Sequence, residues 1–272
     1  MTDVPTPPVR SALTIAGSDS SGGAGIQADL KTFAALGVYG ASAIAAVTAQ
    51  STMGVVEAAV LSADLVTAQI EVVAGDIELH AVKTGMLGDA AVVEAVAAAI
   101  KELELPLVVV DPVLASSSGA RLLDDDGLQM LCRELLPLAH VVTPNVPEAE
   151  ILSGIRISSD SDVRDAARRI HELGTDAVVV TGGHRNGDVV VDVLFDGHDF
   201  AEFRVQRVTV ANVHGTGCAF AAAVAAHLAL GRSRREAVLL AQQYVAAAMA
   251  NSLAVGRGAR VLNHFGGGIL KR

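Results

Sequence analysis

Apolar runs of strand length alternate with stretches of helical spacing through most of the chain, the pattern of a parallel sheet covered by helices. Ser11 to Ala16, Ala41 to Thr48, His80 to Lys83, Leu107 to Val110, His140 to Thr143 and Ala177 to Val180 read as buried strands. Helices are predicted over Gly25 to Leu36, Ala63 to Ala74, Ala90 to Leu103, Asp125 to Leu136, Pro147 to Ser153 and Ser161 to Leu173. Val189 to Phe195 and Phe200 to Val208, split by Asp196-Gly197-His198-Asp199, read as an antiparallel hairpin. Helices over Thr216 to Leu230 and Arg234 to Leu253 close the pattern. The expected fold is doubly wound α/β, with a mostly parallel sheet, helices on both faces and right-handed crossovers. Polar or glycine-rich segments follow predicted strands at Gly17-Ser18-Asp19, Gln50, Thr84-Gly85-Met86, Asp111-Pro112-Val113, Thr143-Pro144-Asn145 and Thr181-Gly182-Gly183-His184. Ligands of open α/β sheets bind outside the carboxyl ends of the strands, so these segments are expected to meet around one cleft.

Composition narrows the classes. The 272 residues carry no linker, charge block or fixed-period repeat, so residues 11–272 are expected to form one domain behind a loose tail at residues 1–10, where Met1 to Pro8 hold three prolines. A 51% hydrophobic content with 3% aromatics and no Trp implies a core of Ala, Val, Leu and Ile. The net charge of -10 argues against nucleic acid or an anionic membrane as partner, and requires any phosphate ligand to be neutralised locally. Cys132 and Cys218 cannot form a disulfide framework, and no signal peptide is evident, so a cytoplasmic location is expected. The uncharged stretches Thr32 to Val56 and Ala237 to Val255 are rejected as membrane spans. Glycines, Thr, Ser and Gln interrupt the first, and Gln242, Gln243, Asn251 and Ser252 the second.

The most informative segment is Asn212-Val213-His214-Gly215-Thr216-Gly217-Cys218, which runs straight into the apolar stretch Ala219 to Leu230. Two glycines bracket a threonine where a helix begins, so unpaired N–H groups and the helix dipole can converge on an anion. Taken alone, the same glycines fit a turn that lets an Ala-rich helix pack closely.

The run Thr14-Ile15-Ala16-Gly17-Ser18-Asp19-Ser20-Ser21-Gly22-Gly23-Ala24-Gly25-Ile26-Gln27-Ala28-Asp29 resembles the opening signature of bacterial hydroxymethylpyrimidine/phosphomethylpyrimidine kinases, ATP-dependent enzymes of thiamine biosynthesis with the ribokinase-like fold. Further matches follow in order at Thr48-Ala49-Gln50, Lys83-Thr84-Gly85-Met86-Leu87, Val109-Val110-Asp111-Pro112-Val113, Thr143 to Glu150, and His214 to Cys218. Val255-Gly256-Arg257-Gly258 and Asn263-His264-Phe265 are similar to the family's ending. The resemblance implies that Gly215, Thr216, Gly217 and Cys218 form an anion hole for the transferring phosphoryl group. It implies a thiolate base at Cys218, with the pKa depressed by the helix N-terminus, where many sugar kinases of this fold have Asp; the alternative is a small buried filler. Asn145 and Glu148 match an N-x-x-E motif that helps organise Mg²⁺ and phosphate, although the pair also suits a helix cap. Asp111 is a second candidate near the metal, or a loop cap. For the substrate, the planar amide of Gln50 can pair with a ring nitrogen and an exocyclic amine, Met86 and Val113 would wall the ring, and Gly17 and Ala24 would approach it by backbone. Loop hydrogen bonding for Gln50 and a core role for Met86 are the alternatives.

One departure stands out. Thr181-Gly182-Gly183-His184 carries Thr where many relatives have Lys, so Thr181 and Gly183 are expected to contact ATP without that ammonium, the charge coming from Mg²⁺, a monovalent cation, Arg185 or His214. The expected function is phosphorylation of 4-amino-5-hydroxymethyl-2-methylpyrimidine and of its monophosphate, with ATP and Mg²⁺ as cofactors, small molecules as substrates and a homodimer as the assembly that the resemblance implies. The rival readings are a pyridoxal kinase and, from other classes, an NAD(P)-dependent oxidoreductase or a non-catalytic nucleotide-binding protein. Gly22-Gly23-Ala24-Gly25 lacks the G-x-G-x-x-G spacing of a dinucleotide site.

Overall fold

The apolar runs condense into one nine-stranded sheet in the computed structural model, which describes residues 9–115, 121–184, 187–210 and 212–265. The elements follow as β1 (Ser11–Asp19), α1 (Gly25–Ala35), β2 (Tyr39–Ser51), β3 (Gly54–Val60), α2 (Ala63–Asp76), β4 (Ala81–Thr84), α3 (Ala90–Glu102), β5 (Val108–Val110) and α4 (Asp125–Met130). After β6 (Val141–Val142) come α5 (Val146–Ser153), α6 (Asp160–His171), β7 (Val178–Val180), β8 (Val189–Phe195), β9 (Phe200–Gln206), β10 (Val213–His214), α7 (Thr216–Ala229), α8 (Arg234–Ala250) and β11 (Arg260–Val261). The predicted tail at Met1 to Pro8, and Arg185, lie outside the described residues.

The sheet order is β3-β2-β1-β4-β5-β6-β7-β8-β9. All pairs from β2 through β7 are parallel, and β3 and β8 run antiparallel at either end. The hairpin β8–β9 thus extends the main sheet. Successive residues of each central strand face opposite layers, as a pleat requires. Val108, Val110, Val142 and Val178 join the core under α3 and α6, whereas Val109, Val141 and Val179 join the core under α7 and α8. Ala219 through Ala229 are all buried, so α7 is apolar all round, and its alanines let it pack closely on the sheet.

Three expectations change. β3 was not predicted; its residues are mostly exposed at the sheet edge and lack a buried face to give alternation. The helix predicted over Asp125 to Leu136 holds as α-helix only to Met130, then widens into a π-turn at Leu131–Leu135 and ends in a 3-10 turn containing Pro137, which lacks an N–H to continue it. β10 and β11 form a separate two-stranded parallel ladder joining residues far apart in sequence. Among the described residues no helix is long and apolar enough to cross a membrane.

Candidate active site

The chain crosses from β2 on one side of β1 to β4 on the other, so the topological switch point lies between β1 and β4. Gly17 to Asp19 end β1, Thr84 and Gly85 end β4, and the N-termini of α1 and α7 arrive above them. Gly215 has φ +84, and a Cβ there would lie 1.9 Å from the Gly23 carbonyl, so only glycine permits this contact between the two helix starts. Neither N-cap residue, Ala24 of α1 or Gly215 of α7, supplies a side-chain cap, and among the described residues only the α1 turn has its first N–H groups taken by other side chains, Asp19 and Cys218. A Cβ on Gly217 would meet no atom within 4 Å, so this turn opens outward. Uncapped first-turn N–H groups beside an open turn are what a phosphate site at a helix N-terminus requires.

Asp19 orders the loop below. Its carboxylate accepts from the N–H groups of Ser21, Gly23 and Ala24 at 2.8, 3.0 and 2.8 Å, and its Oδ2 lies 3.4 Å from His214 Nε2. Burial pushes this carboxyl up, but the hydrogen bonds from His214, Ser21 and Ala24 outweigh it and hold the pKa at about 2. Gln50 joins the same cluster: Nε2 is 2.9 Å from His214 Nε2, and Oε1 accepts from the Thr48 hydroxyl at 3.1 Å. The predicted pyrimidine reader is therefore engaged by protein groups. His214, weighed as a counter-charge for ATP, stands on the Asp19 and Gln50 side. Met86 packs on Gly17, with its sulfur 3.2 Å from where a Gly17 Cβ would be. Ala24 is held by Asp19, and Val113 lines a small cavity with Thr84, Gly85 and Asp111.

Cys218 sits where the two helices and the sheet converge. The Gly25 N–H donates to its sulfur, and its thiol hydrogen-bonds the Asp111 carboxylate. The residue is half-buried as a whole, yet its sulfur is enclosed. Burial pushes the thiol up to about 12, with Lys83 opposing and Asp111 and Asp29 adding to the rise. The depressed pKa expected of Cys218 is overturned, because loss of water outweighs the helix terminus.

Beneath it lies a charge cluster in which Asp111 was expected near the metal, whereas Lys83 and Asp29 stood in the motif matches without a role. Lys83 is fully buried on β4, with Nζ 2.9 Å from Asp29 Oδ2 and 3.9 Å from Asp111 Oδ2. Asp29 also accepts from the Thr14 hydroxyl at 2.6 Å. Burial pushes Asp111 up to about 6, with Lys83 opposing. Glu148, buried in α5, is pushed up to about 8 by burial and by the charge of Asp111. Asn145 and Glu148 form the capping box weighed from sequence: each side chain accepts the other's backbone N–H at 3.0 Å.

These two carboxyl groups fit a hydrated Mg²⁺. Asp111 Oδ2 has no hydrogen-bond partner among the described residues, and the charge of Asp111 opposes ionisation of Glu148. No group of three or more His, Cys, Asp or Glu among the described residues forms a metal cage. Thr181 forms a parallel bridge with Asn145, its N–H donating to Pro144 O at 2.9 Å, so the residues expected to touch ATP do assemble. Gly183 is exposed beside them.

Asp19, Asp29 and Lys83 are the polar residues that motif reading passed over. Two had a legible signal: Lys83 interrupts the apolar run from Ala81, and Asp29 lies with Ile26 and Phe33 on the buried face of α1.

Known proteins place the constellation. The chain is 46% identical over 258 residues to the hydroxymethylpyrimidine/phosphomethylpyrimidine kinase of Bacillus subtilis, covering 94% of this chain and 95% of that one. It is 47% identical over 258 residues to the thiamine biosynthesis bifunctional protein ThiED of Geobacter sulfurreducens, covering 95% of this chain but only 53% of that longer protein. The ADP complex of Bacillus subtilis pyridoxal kinase superposes with a TM-score of 0.87 at 38% identity, over 94% of this chain and 98% of its own. The sheet and its helices have the ribokinase-like fold of such kinases. With the phosphomethylpyrimidine kinase family model matching residues 19–263, the chain belongs to the phosphomethylpyrimidine kinase family.

Proposed function

We propose that this protein transfers the γ-phosphoryl group of Mg-ATP to the hydroxymethyl oxygen of 4-amino-5-hydroxymethyl-2-methylpyrimidine, and then to the resulting monophosphate, as a cytoplasmic step of thiamine biosynthesis. In the first transfer the hydroxyl oxygen bonds to the γ-phosphorus, the bond to the β–γ bridging oxygen breaks and ADP leaves, while the hydroxyl proton passes to solvent water. The observation that carries the reading is the uncapped α7 turn from Gly215 to Cys218, locked on Gly23 next to Gln50 and Asp111. The N–H groups of this turn would receive the transferring phosphate, whose transition state is stabilised chiefly by aimed donors and positive charge.

Thr181, Gly183 and Asn145 would contact ATP, and Asp111 and Glu148 would hold Mg²⁺ through its waters. When bound, the ion would supply the positive charge against the phosphates that a chain of net charge -10 offers poorly. Gln50, Met86, Val113, Gly17 and Ala24 would receive the pyrimidine. Cys218, protonated in the resting protein, would shape the hole and hold Asp111 by its S–H. A homodimer completes the reading.

Pyridoxal phosphorylation is the second reading, favoured by the superposition on a pyridoxal kinase. Incubation with Mg-ATP and either the hydroxymethylpyrimidine or pyridoxal, with mass analysis of the products, tests both. Mono- and diphosphate of the pyrimidine are expected; product from pyridoxal alone would refute the first reading. Light scattering of the purified protein reads the dimer.

A further inference from the structure

A buried carboxylate outside the reaction centre holds the turn assigned to ATP. Asp192, on β8, is 4% exposed, and both its oxygens are taken by groups from different parts of the fold. Oδ1 accepts from the Gly182 N–H at 2.8 Å, and Oδ2 accepts from Gln242 Nε2 of α8 at 2.8 Å. Gln242, equally buried, also donates to Phe203 O of β9 at 2.9 Å. The turn itself lies flat on β8: a Cβ on Gly182 would come within 2.1 Å of Val191 O. Its neighbours are fastened by backbone, with Thr181 N–H on Pro144 O and Gly183 O accepting from Arg207 Nη1, each at 2.9 Å.

A buried carboxylate with no cationic partner among the described residues is costly, and a neutral side chain would bury more cheaply. It does what an amide cannot, since it accepts from both sides at once. Asn at this place would present one acceptor and turn its NH₂ toward a second donor. The turn it fixes has Thr181 where a lysine would give charge, so phosphate binding there depends on how hydroxyl and N–H groups are aimed.

We propose that Asp192 is a positioning residue for the phosphate donor, clamping Gly182 against β8 so that the Thr181–His184 turn is set before the nucleotide arrives, with Gln242 of α8 contributing stability. This rests on the assignment of Thr181 and Gly183 to ATP. Asp192→Asn should raise the ATP KM by about tenfold, the loss of one charged hydrogen bond from a fixed donor, while the pyrimidine KM and kcat at saturating ATP stay within about twofold. Gln242→Leu removes the α8 anchor and leaves Asp192 on Gly182; it should lower the melting temperature yet keep the ATP KM within about threefold. A folded Asp192→Asn with the wild-type ATP KM, or a Gln242→Leu that raises it equally, would overturn the proposal. Hydrogen exchange of the Gly182 amide in nucleotide-free wild type decides the matter if Asp192→Asn does not fold. Slow exchange supports the clamp, and exchange as fast as an open turn refutes it. Nucleotide titration of the wild type separates the two readings, because absence of binding sinks the ATP assignment and leaves the exchange result to judge the clamp.

Discussion

Lys83→Met removes the cation from a pair sealed between the sheet and α1. Lys83 and Asp29 are both fully buried, 2.9 Å apart, and Asp29 then keeps only the Thr14 hydroxyl, its Oδ1 having no partner among the described residues. Breaking one side of a buried pair costs on the order of 3–5 kcal/mol, whereas neutralising both sides with residues of similar volume is close to neutral. At roughly 2–4 °C per kcal/mol for a chain of this order of size, the single variant should melt roughly 6–20 °C below wild type. The combined variant Lys83→Met with Asp29→Asn should recover most of that loss, because the Asn oxygen still accepts from Thr14. The effect of pH has a definite sign. Burial pushes the Asp29 carboxyl up, and Lys83 is the main opposing influence. Without Lys83 it rises further, so the folded variant keeps a proton that the unfolded chain releases above a pH of about 4. The stability of Lys83→Met therefore declines more steeply than that of wild type as pH rises beyond that value, and its deficit narrows in acid; the combined variant loses this Asp29 contribution and keeps only the trend from the other raised carboxyls, such as Asp111 and Glu148. Thermal unfolding by circular dichroism between about pH 4.5 and 8, on wild type, both single variants and the combination, closes the cycle. A single variant melting within about 2 °C of wild type at neutral pH, or a combination no better than the single, would refute the reasoning.

Gly215→Ala should abolish turnover and destabilise, since its Cβ strikes Gly23 O, while Gly217→Ala, meeting no protein atom, should keep its melting temperature and lose about 10²-fold or more in kcat; full activity in Gly217→Ala would remove that turn from the phosphate site. Gln50→Leu should raise the pyrimidine KM by about one to two orders of magnitude with the ATP KM unchanged, read by steady-state kinetics in each substrate. Cys218→Ser should slow both transfers by similar modest factors, because the thiol is pushed up to about 12 and is no resting base; a loss confined to the alcohol substrate would reinstate it as one. Glu148, raised from 4.5 to about 8 by burial and by Asp111, holds a proton in the folded state that the unfolded chain releases, so stability should fall as pH climbs through that window. Mg²⁺ should then raise the melting temperature at pH 8 and not at pH 5, and Glu148→Gln should flatten the profile.

The buried part of the fold was legible. Every central strand and the main helices of both layers were found within a few residues, because a strand covered on both faces is an uninterrupted apolar run and a covering helix shows its spacing. What escaped lacks those constraints. β3, with Val56 86% exposed, has no buried face to impose alternation. The β10–β11 ladder joins Val213 to Arg260 across a separation that no local window spans. The break at Leu131 leaves the apolar spacing intact and changes only the hydrogen-bond ring, so periodicity continues through it.

The candidate site divides along a similar line. Glycines that must be glycine, such as Gly215, and residues recurring in recognisable motifs were legible, because backbone conformation and spacing are written locally. The ionisation state of Cys218 was not. A helix terminus favours a thiolate by up to about 2 kcal/mol, little more than one pKa unit, whereas full burial moves a group by up to 3–5 units the other way. Which influence wins depends on whether Asp111, Lys83 and the start of α1 close over the sulfur, and those residues come from separate regions of the chain. Asp192 shows the same limit: on β8 it reads as one more polar position, and only the packing of α8 gives its second oxygen a partner. Charges whose effect rests on a neighbour's direction need the fold; charges placed on an apolar face, such as Asp29 and Lys83, announce themselves because burying them without a partner would cost more than the element gains.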